Sequence, residues 1–124
     1  MTIAACFPGR APIDAYGNGG FRFADMSHRG SILCLPSGIY AWAATSPDDL
    51  TAELLAPALA EAGELGFLLV GTGERQVFAT RVLRQAFEQA GVGLETMATG
   101  AAARTYNVLL AEERRVGAAL MAVE

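Results

Sequence analysis

Leu65-Gly66-Phe67-Leu68-Leu69-Val70-Gly71-Thr72-Gly73 is the stretch on which the fold turns. From Leu65 to Val70 the run is short, apolar and without alternation, the pattern of a strand covered on both faces, and Gly71-Thr72-Gly73 ends it. Downstream, Thr80 is placed to cap a helix in which Val82, Leu83, Ala86, Phe87 and Ala90 recur at helical spacing, with Gly91 as the left-handed residue that stops it. Val92 to Met97 reads as a second strand. Thr99 is expected to cap a further helix whose apolar stripe is Ala102, Tyr106, Leu109 and Leu110, ending in the cationic pair Arg114 and Arg115 that suits a helix C-terminus. Val116 to Val123 closes the chain as a last strand. Strand-helix-strand-helix-strand with short links means two crossover units and a mainly parallel sheet.

Upstream of Thr45 the character changes. Phe21-Arg22-Phe23, Ser31 to Leu35 and Ile39 to Ala43 each fit a short strand, separated by turn chemistry at Gly17-Asn18-Gly19-Gly20, Arg29-Gly30 and Pro36-Ser37-Gly38. Two of these turns look like hairpin connections. The hairpins pack as a second β layer or join an edge of the parallel sheet. Between the two halves, Ser46-Pro47-Asp48-Asp49 offers an N-cap, a proline at the first helical position and acids for the dipole, so a helical stretch is expected to about Ala62, with Pro57 kinking or restarting it.

The glycines after the buried strand invite nucleotide-binding readings, and both fail. A dinucleotide fingerprint beginning at Gly71 would need glycine at position 76, where Gln76 stands. Gly66 and Gly71 have the spacing of a phosphate loop, but Thr72 occupies the place of its lysine. In a parallel sheet the loops at the carboxyl ends of the strands line a crevice, and Gly71, Thr72, Gly73, Thr99 and Gly100 would lie on that edge. The free amides of the third helix's N-terminus, with Arg104 one turn in, could hold a small anion there. The alternative is that these glycines only permit tight strand-to-helix turns.

Tyr40 and Trp42 alternate with Ile39, Ala41 and Ala43, so the two aromatics point together, as a second core or as an interface patch. His28 is the sole histidine, so no second imidazole exists for a metal site, and no serine or cysteine at readable spacing makes a triad. Cys6 and Cys34 stand far apart with no neighbouring histidine; both are expected as reduced thiols, Cys34 buried in a strand.

The 124 residues hold nine basic and thirteen acidic side chains, and all nine bases are arginine. The absence of lysine removes Schiff-base, phosphate-loop-lysine and lysine general-base chemistry. A net charge of −4 argues against a nucleic-acid surface. With 52% hydrophobic residues the chain can bury a core, and no apolar run reaches the roughly 18 residues of a membrane span. Ile3-Ala4-Ala5-Cys6 faintly mimics a lipoprotein cleavage box, but only five residues precede the cysteine, so a cytoplasmic protein that is not an integral membrane protein is expected.

Four groups of residues then carry a resemblance: Asp14-Ala15-Tyr16-Gly17-Asn18-Gly19-Gly20-Phe21-Arg22-Phe23; Gly30-Ser31 leading to Leu35-Pro36-Ser37-Gly38-Ile39 and Trp42; Leu69-Val70-Gly71-Thr72-Gly73; and Thr99-Gly100-Ala101-Ala102-Ala103-Arg104-Thr105-Tyr106-Asn107-Val108-Leu109. In this order, from about residue 12 to the C-terminus, they resemble the Mth-type domain family of unknown function. The resemblance implies a three-layer α/β fold with a central mixed sheet and an added β-hairpin layer. It also implies kinship with a mitochondrial assembly factor for respiratory complex I and with an adipogenesis-associated animal protein. It carries over no catalytic residue and no cofactor. With no mitochondrial presequence in view, a compact bacterial-type relative is expected: one Mth-type domain over 1–124, with 1–11 an extended segment. The first functional expectation is a non-catalytic accessory or assembly protein working through an unidentified protein partner, with Tyr40 and Trp42 as interface candidates and self-association left open. The second is a small-anion or metabolite-binding domain using Gly71, Thr72, Gly73, Thr99, Gly100 and Arg104. An enzyme comes third.

Overall fold

The computed structural model describes residues 6–124. Strands β1 (Ile13–Gly17), β2 (Gly20–Phe23) and β3 (Met26–Arg29) form an antiparallel sheet in that order. Asn18 and Gly19 both have positive φ, 52° and 79°, giving the β1–β2 turn the mirror-image geometry that matches strand twist. The β2–β3 turn does the same with Ala24 and Asp25, at 49° and 60°. Neither is a glycine, which is why the sequence shows no punctuation there and why β3 was not foreseen. Nor was β1, whose pairing shifts register between Ile13 and Ala15. Gly30, at φ 101°, carries the chain out of this sheet and into a larger one.

That larger sheet contains β4 (Ser31–Leu35), β5 (Gly38–Trp42), β6 (Phe67–Gly71), β7 (Gly93–Met97) and β8 (Val116–Leu120), in the order β5-β4-β8-β6-β7. β6 pairs parallel with both β7 and β8, while β4 pairs antiparallel with β5 and β8. The sheet is therefore mixed, with its parallel part in the crossover half, as the resemblance implies.

Both faces of this sheet are covered, and successive residues alternate between two cores. Leu33, Leu35, Leu68, Val70, Ala119 and Met121 face one side, where they meet Leu55, Ala58, Leu83 and Phe87. Ile32, Cys34, Leu69, Val116, Ala118 and Leu120 face the other, against Ala102, Ala103, Tyr106, Ile13, Phe21 and Phe23. Helices α1 (Ala56–Ala60) and α2 (Arg81–Gln89) thus form one outer layer, and α3 (Thr99–Ala111) with the small sheet forms the other. The N-terminal hairpins divide between the two expected placements: β1, β2 and β3 build a second β layer beside α3, whereas the β4–β5 hairpin joins the central sheet at the edge beside β8.

Two helical expectations change in detail. The segment from Ser46 to Ala62 is not one helix: a 3-10 turn, Pro47–Asp49, precedes α1, and Pro57 lies in the first turn of α1, so it restarts the helix. Thr99 is not the cap of α3. Ala98 holds that position without a side-chain bond, and Thr99 sits inside the helix with its hydroxyl employed elsewhere. Thr80 does cap α2, its Oγ1 accepting the Leu83 N–H at 3.2 Å, and Gly91 follows with φ 76°. Of the expected extended segment 1–11, residues 1–5, including Ile3-Ala4-Ala5, lie outside the described residues. Cys6 and Phe7 run along the β5 edge: the Cys6 N–H donates to the Ile39 carbonyl at 2.7 Å and the Ile39 N–H to that of Phe7 at 2.9 Å.

Candidate functional site

Strand order reverses about β6, with β7 on one side and β8 on the other, so the carboxyl ends of β6 and β8 frame the crevice expected in such a sheet. An open depression of about 390 Å³ lies there, lined in part by Thr72, Gly73, Arg75 and Met121. Of the six candidate residues Thr72 and Gly73 line it and Gly71 and Thr99 bond to its lining residue Met121, and their polar groups are spent on bonds within the fold. The Thr72 hydroxyl donates to the Arg75 carbonyl at 2.5 Å, with the Met97 carbonyl 3.1 Å away, and accepts the Val77 N–H at 3.0 Å, while the Thr72 N–H donates to Met97 O at 2.8 Å. The Gly73 N–H donates to Thr99 Oγ1 at 3.0 Å, the Thr99 hydroxyl donates to Met121 O at 2.8 Å, and the Thr99 N–H donates to Gly73 O at 2.8 Å. Gly71 is required because a Cβ there would stand 2.9 Å from the Thr99 Cα, and its carbonyl accepts the Met121 N–H.

Gly100 and Arg104 belong to a different contact. The ring and hydroxyl of Tyr16, on β1, lie against Gly100 where a side chain would be, covering the first turn of α3. Arg104 is exposed and its Nη1 stands 3.5 Å from the Tyr16 hydroxyl. Three residues on, the Asn107 side chain pairs with the Ile13 backbone as a strand would, accepting its N–H and donating to its carbonyl, both at 2.8 Å. Tyr106 is buried beside it, and desolvation, reinforced by nearby Cys34, pushes its phenol above the usual range. The Thr99–Asn107 stretch therefore knots α3 to β1, β6 and β8. Among the described residues every buried side-chain nitrogen and oxygen has a hydrogen-bond partner.

Tyr40 and Trp42 do share a face, the one turned towards α1 and α2. Trp42 is only 6% exposed and its Nε1–H donates to the Leu54 carbonyl at 2.8 Å. The Tyr40 hydroxyl joins Ser37 and the Glu61 carboxylate at the rim, tying the β4–β5 turn to the end of α1.

The large apolar surface lies elsewhere. Phe78 is 76% exposed and Val82 75%, four residues apart at the entry to α2, with Val77 also exposed. Phe78 overhangs a groove of about 230 Å³ that it shares with Ala79, Arg84 and the β7 residues Leu94, Glu95 and Thr96. β7 is an edge strand of the central sheet. Gly93, Glu95 and Met97 bond towards β6, so Leu94 and Thr96 turn their backbone groups to the open edge, where the Gln76 amide caps the Thr96 carbonyl at 2.9 Å. The sequence carried a partial signal for this patch: Val77-Phe78 is an apolar pair in a segment with neither strand nor helix periodicity. Spacing alone groups Val82 with Leu83, Ala86, Phe87 and Ala90 of α2.

Residues 13–121 match the family model described as "Protein of unknown function (DUF498/DUF598)". The chain belongs to this family. It is 56% identical, with a TM-score of 0.92, to a crystal structure described as an outer membrane protein from Bartonella henselae, over 95% of this chain and 99% of that one. A solution structure from Bordetella pertussis described as an Mth938-like domain matches with 32% identity and a TM-score of 0.80, over 98% of this chain and 90% of that one. Among curated proteins it is 30% identical to mouse NADH dehydrogenase (ubiquinone) 1 alpha subcomplex assembly factor 3, over 93% of this chain and 62% of the mouse protein. The chain thus spans less than two thirds of that relative. No helix among the described residues of this DUF498/DUF598 protein is long and apolar enough to cross a membrane.

Two side chains that the sequence leaves isolated meet in this family member. Cys6, on the segment along β5, places its Sγ 3.9 Å from Nδ1 of His28 on β3, a contact that no sequence spacing announces.

Proposed function

We propose that this DUF498/DUF598 protein is a non-catalytic accessory protein of the assembly type, acting through contact with a protein partner in the cytoplasm. The observation that carries this is the exposure of Phe78 and Val82, both about three-quarters open at the entry to α2, with Phe78 beside the open edge of β7. They are the two most exposed of the large apolar side chains among the described residues, with Val108 next at 57%, and such side chains gain from burial against a partner. The assembly factor among its relatives supports the same class of role. Two unpaired thiols, Cys6 and Cys34, suit a reducing compartment. The test is copurification from the source cell of wild type and of the Phe78→Ser, Val82→Ser double variant. A discrete stoichiometric partner lost from a normally folded variant supports the proposal; a wild-type protein recovered alone, or a partner retained by the variant, contradicts it.

Small-anion binding is the alternative, and Arg75 over the crevice and the exposed Arg104 are the cations available to it. It is less favoured because the Thr72, Gly73 and Thr99 groups that would line such a site already bond within the fold.

A further inference from the structure

We infer that Cys6, with His28 as its base, is a reversible thiol-modification site for small disulfides. The pair is built by tertiary structure: 22 residues separate the two in sequence. Cys6 is held in place by the backbone bond of its own N–H to the Ile39 carbonyl at 2.7 Å. His28 is fixed from the other side by its register opposite Phe21, whose ring is buried in the core. Sγ and Nδ1 lie 3.9 Å apart, within reach of a sulfur hydrogen bond, and neither residue is fully buried, Cys6 lying at the margin of the core between β4 and α3.

Cys34 supplies the contrast inside the same chain. It is fully buried in β4, and desolvation pushes its thiol far above the usual range, so it cannot serve as a nucleophile in the folded protein. Selectivity between the two thiols follows from the fold.

The step balances without any further oxidant. The Cys6 thiol gives its proton to His28 Nδ1, and the sulfur attacks one sulfur of a low-molecular-weight disulfide. The incoming S–S bond breaks as the new mixed disulfide forms, and the departing thiolate takes up the proton that His28 holds. A low-molecular-weight thiol reverses the exchange by the same route. Since a free thiol is only a few per cent ionised at neutral pH, loss of a base that takes its proton slows attack by up to about thirtyfold.

The experiment treats the folded protein with glutathione disulfide and follows the adduct by intact mass and peptide mapping. The expected result is a single adduct on Cys6, none on Cys34, slower exchange at Cys6 by roughly three- to thirtyfold in His28→Ala, and recovery of rate in that variant on adding free imidazole. His28→Gln, which keeps a polar side chain, provides the same comparison should His28→Ala fail to fold. Equal rates at Cys6 with and without His28, modification of Cys34 as fast as of Cys6, or a slowed variant that imidazole does not restore would each overturn the inference.

Discussion

Thr99 shows at the scale of one residue why the glycine-rich loop has the sequence it has. Its hydroxyl donates to Met121 O and accepts from the Gly73 N–H, while its backbone N–H donates to Gly73 O, so one side chain closes the ends of β6 and β8 onto the start of α3. Thr99→Val keeps the shape and removes both hydroxyl bonds, leaving the half-buried Gly73 N–H and the buried Met121 carbonyl short of a partner. The expected cost is about 2 kcal/mol, read as a lower midpoint in denaturant unfolding with an unchanged slope; a midpoint within error of wild type would contradict this role. The sequence placed Thr99 at the right turn and assigned it the wrong task, because a threonine before a helix reads as a cap. Only the return of β8 alongside β6 brings Met121 within its reach. Cys6 and His28 were unreadable as a pair for a similar reason, since each belongs to a different element at the end of a different strand pairing.

At the scale of elements, strands and helices with strong periodic signals were legible and locally irregular ones were not. β4, β5 and β6 were visible because their apolar runs face two cores, and α2 because threonine and glycine punctuate both its ends. β1 and β3 escaped because their outer faces are polar and the β2–β3 turn uses Ala24 and Asp25 at positive φ without a glycine. The 3-10 turn after β5 was legible as a helix start but not as a helix so short. Its anchor is Asp49, whose carboxylate accepts the backbone N–H groups of Thr45 at 2.8 Å and Ser46 at 3.3 Å. Those two bonds hold its carboxyl below the usual aspartate range. A depressed folded-state value means the stabilisation is present above the unfolded value and fades as pH falls through the folded one. The melting-temperature gap between wild type and Asp49→Ala should therefore be open at neutral pH and close below about pH 4. A gap that persists unchanged into acid would count against these bonds.

Across the whole molecule, the family resemblance implied three layers, and the alternation of β4, β6 and β8 side chains between two cores explains them physically. The candidate surfaces were less legible. The sequence marked the conspicuous motifs, the glycines at the strand ends and the Tyr40–Trp42 pair, and most of these proved occupied in holding the layers together. A strand-end motif and an aromatic pair have the same composition whether they bind a ligand or the rest of the chain. Exposure is a property of the assembled layers, so Phe78 and Val82 became distinguishable from core residues only once α2 had been seated on the sheet. The account rests on that surface, and photo-crosslinking in the source cell tests it most directly. Phe78→p-benzoylphenylalanine should give one discrete adduct with a different protein, while the same replacement at Arg22, on the exposed face of the small sheet, gives none. No adduct from position 78, adducts of equal pattern from both positions, or an adduct only with a second copy of the chain would contradict it.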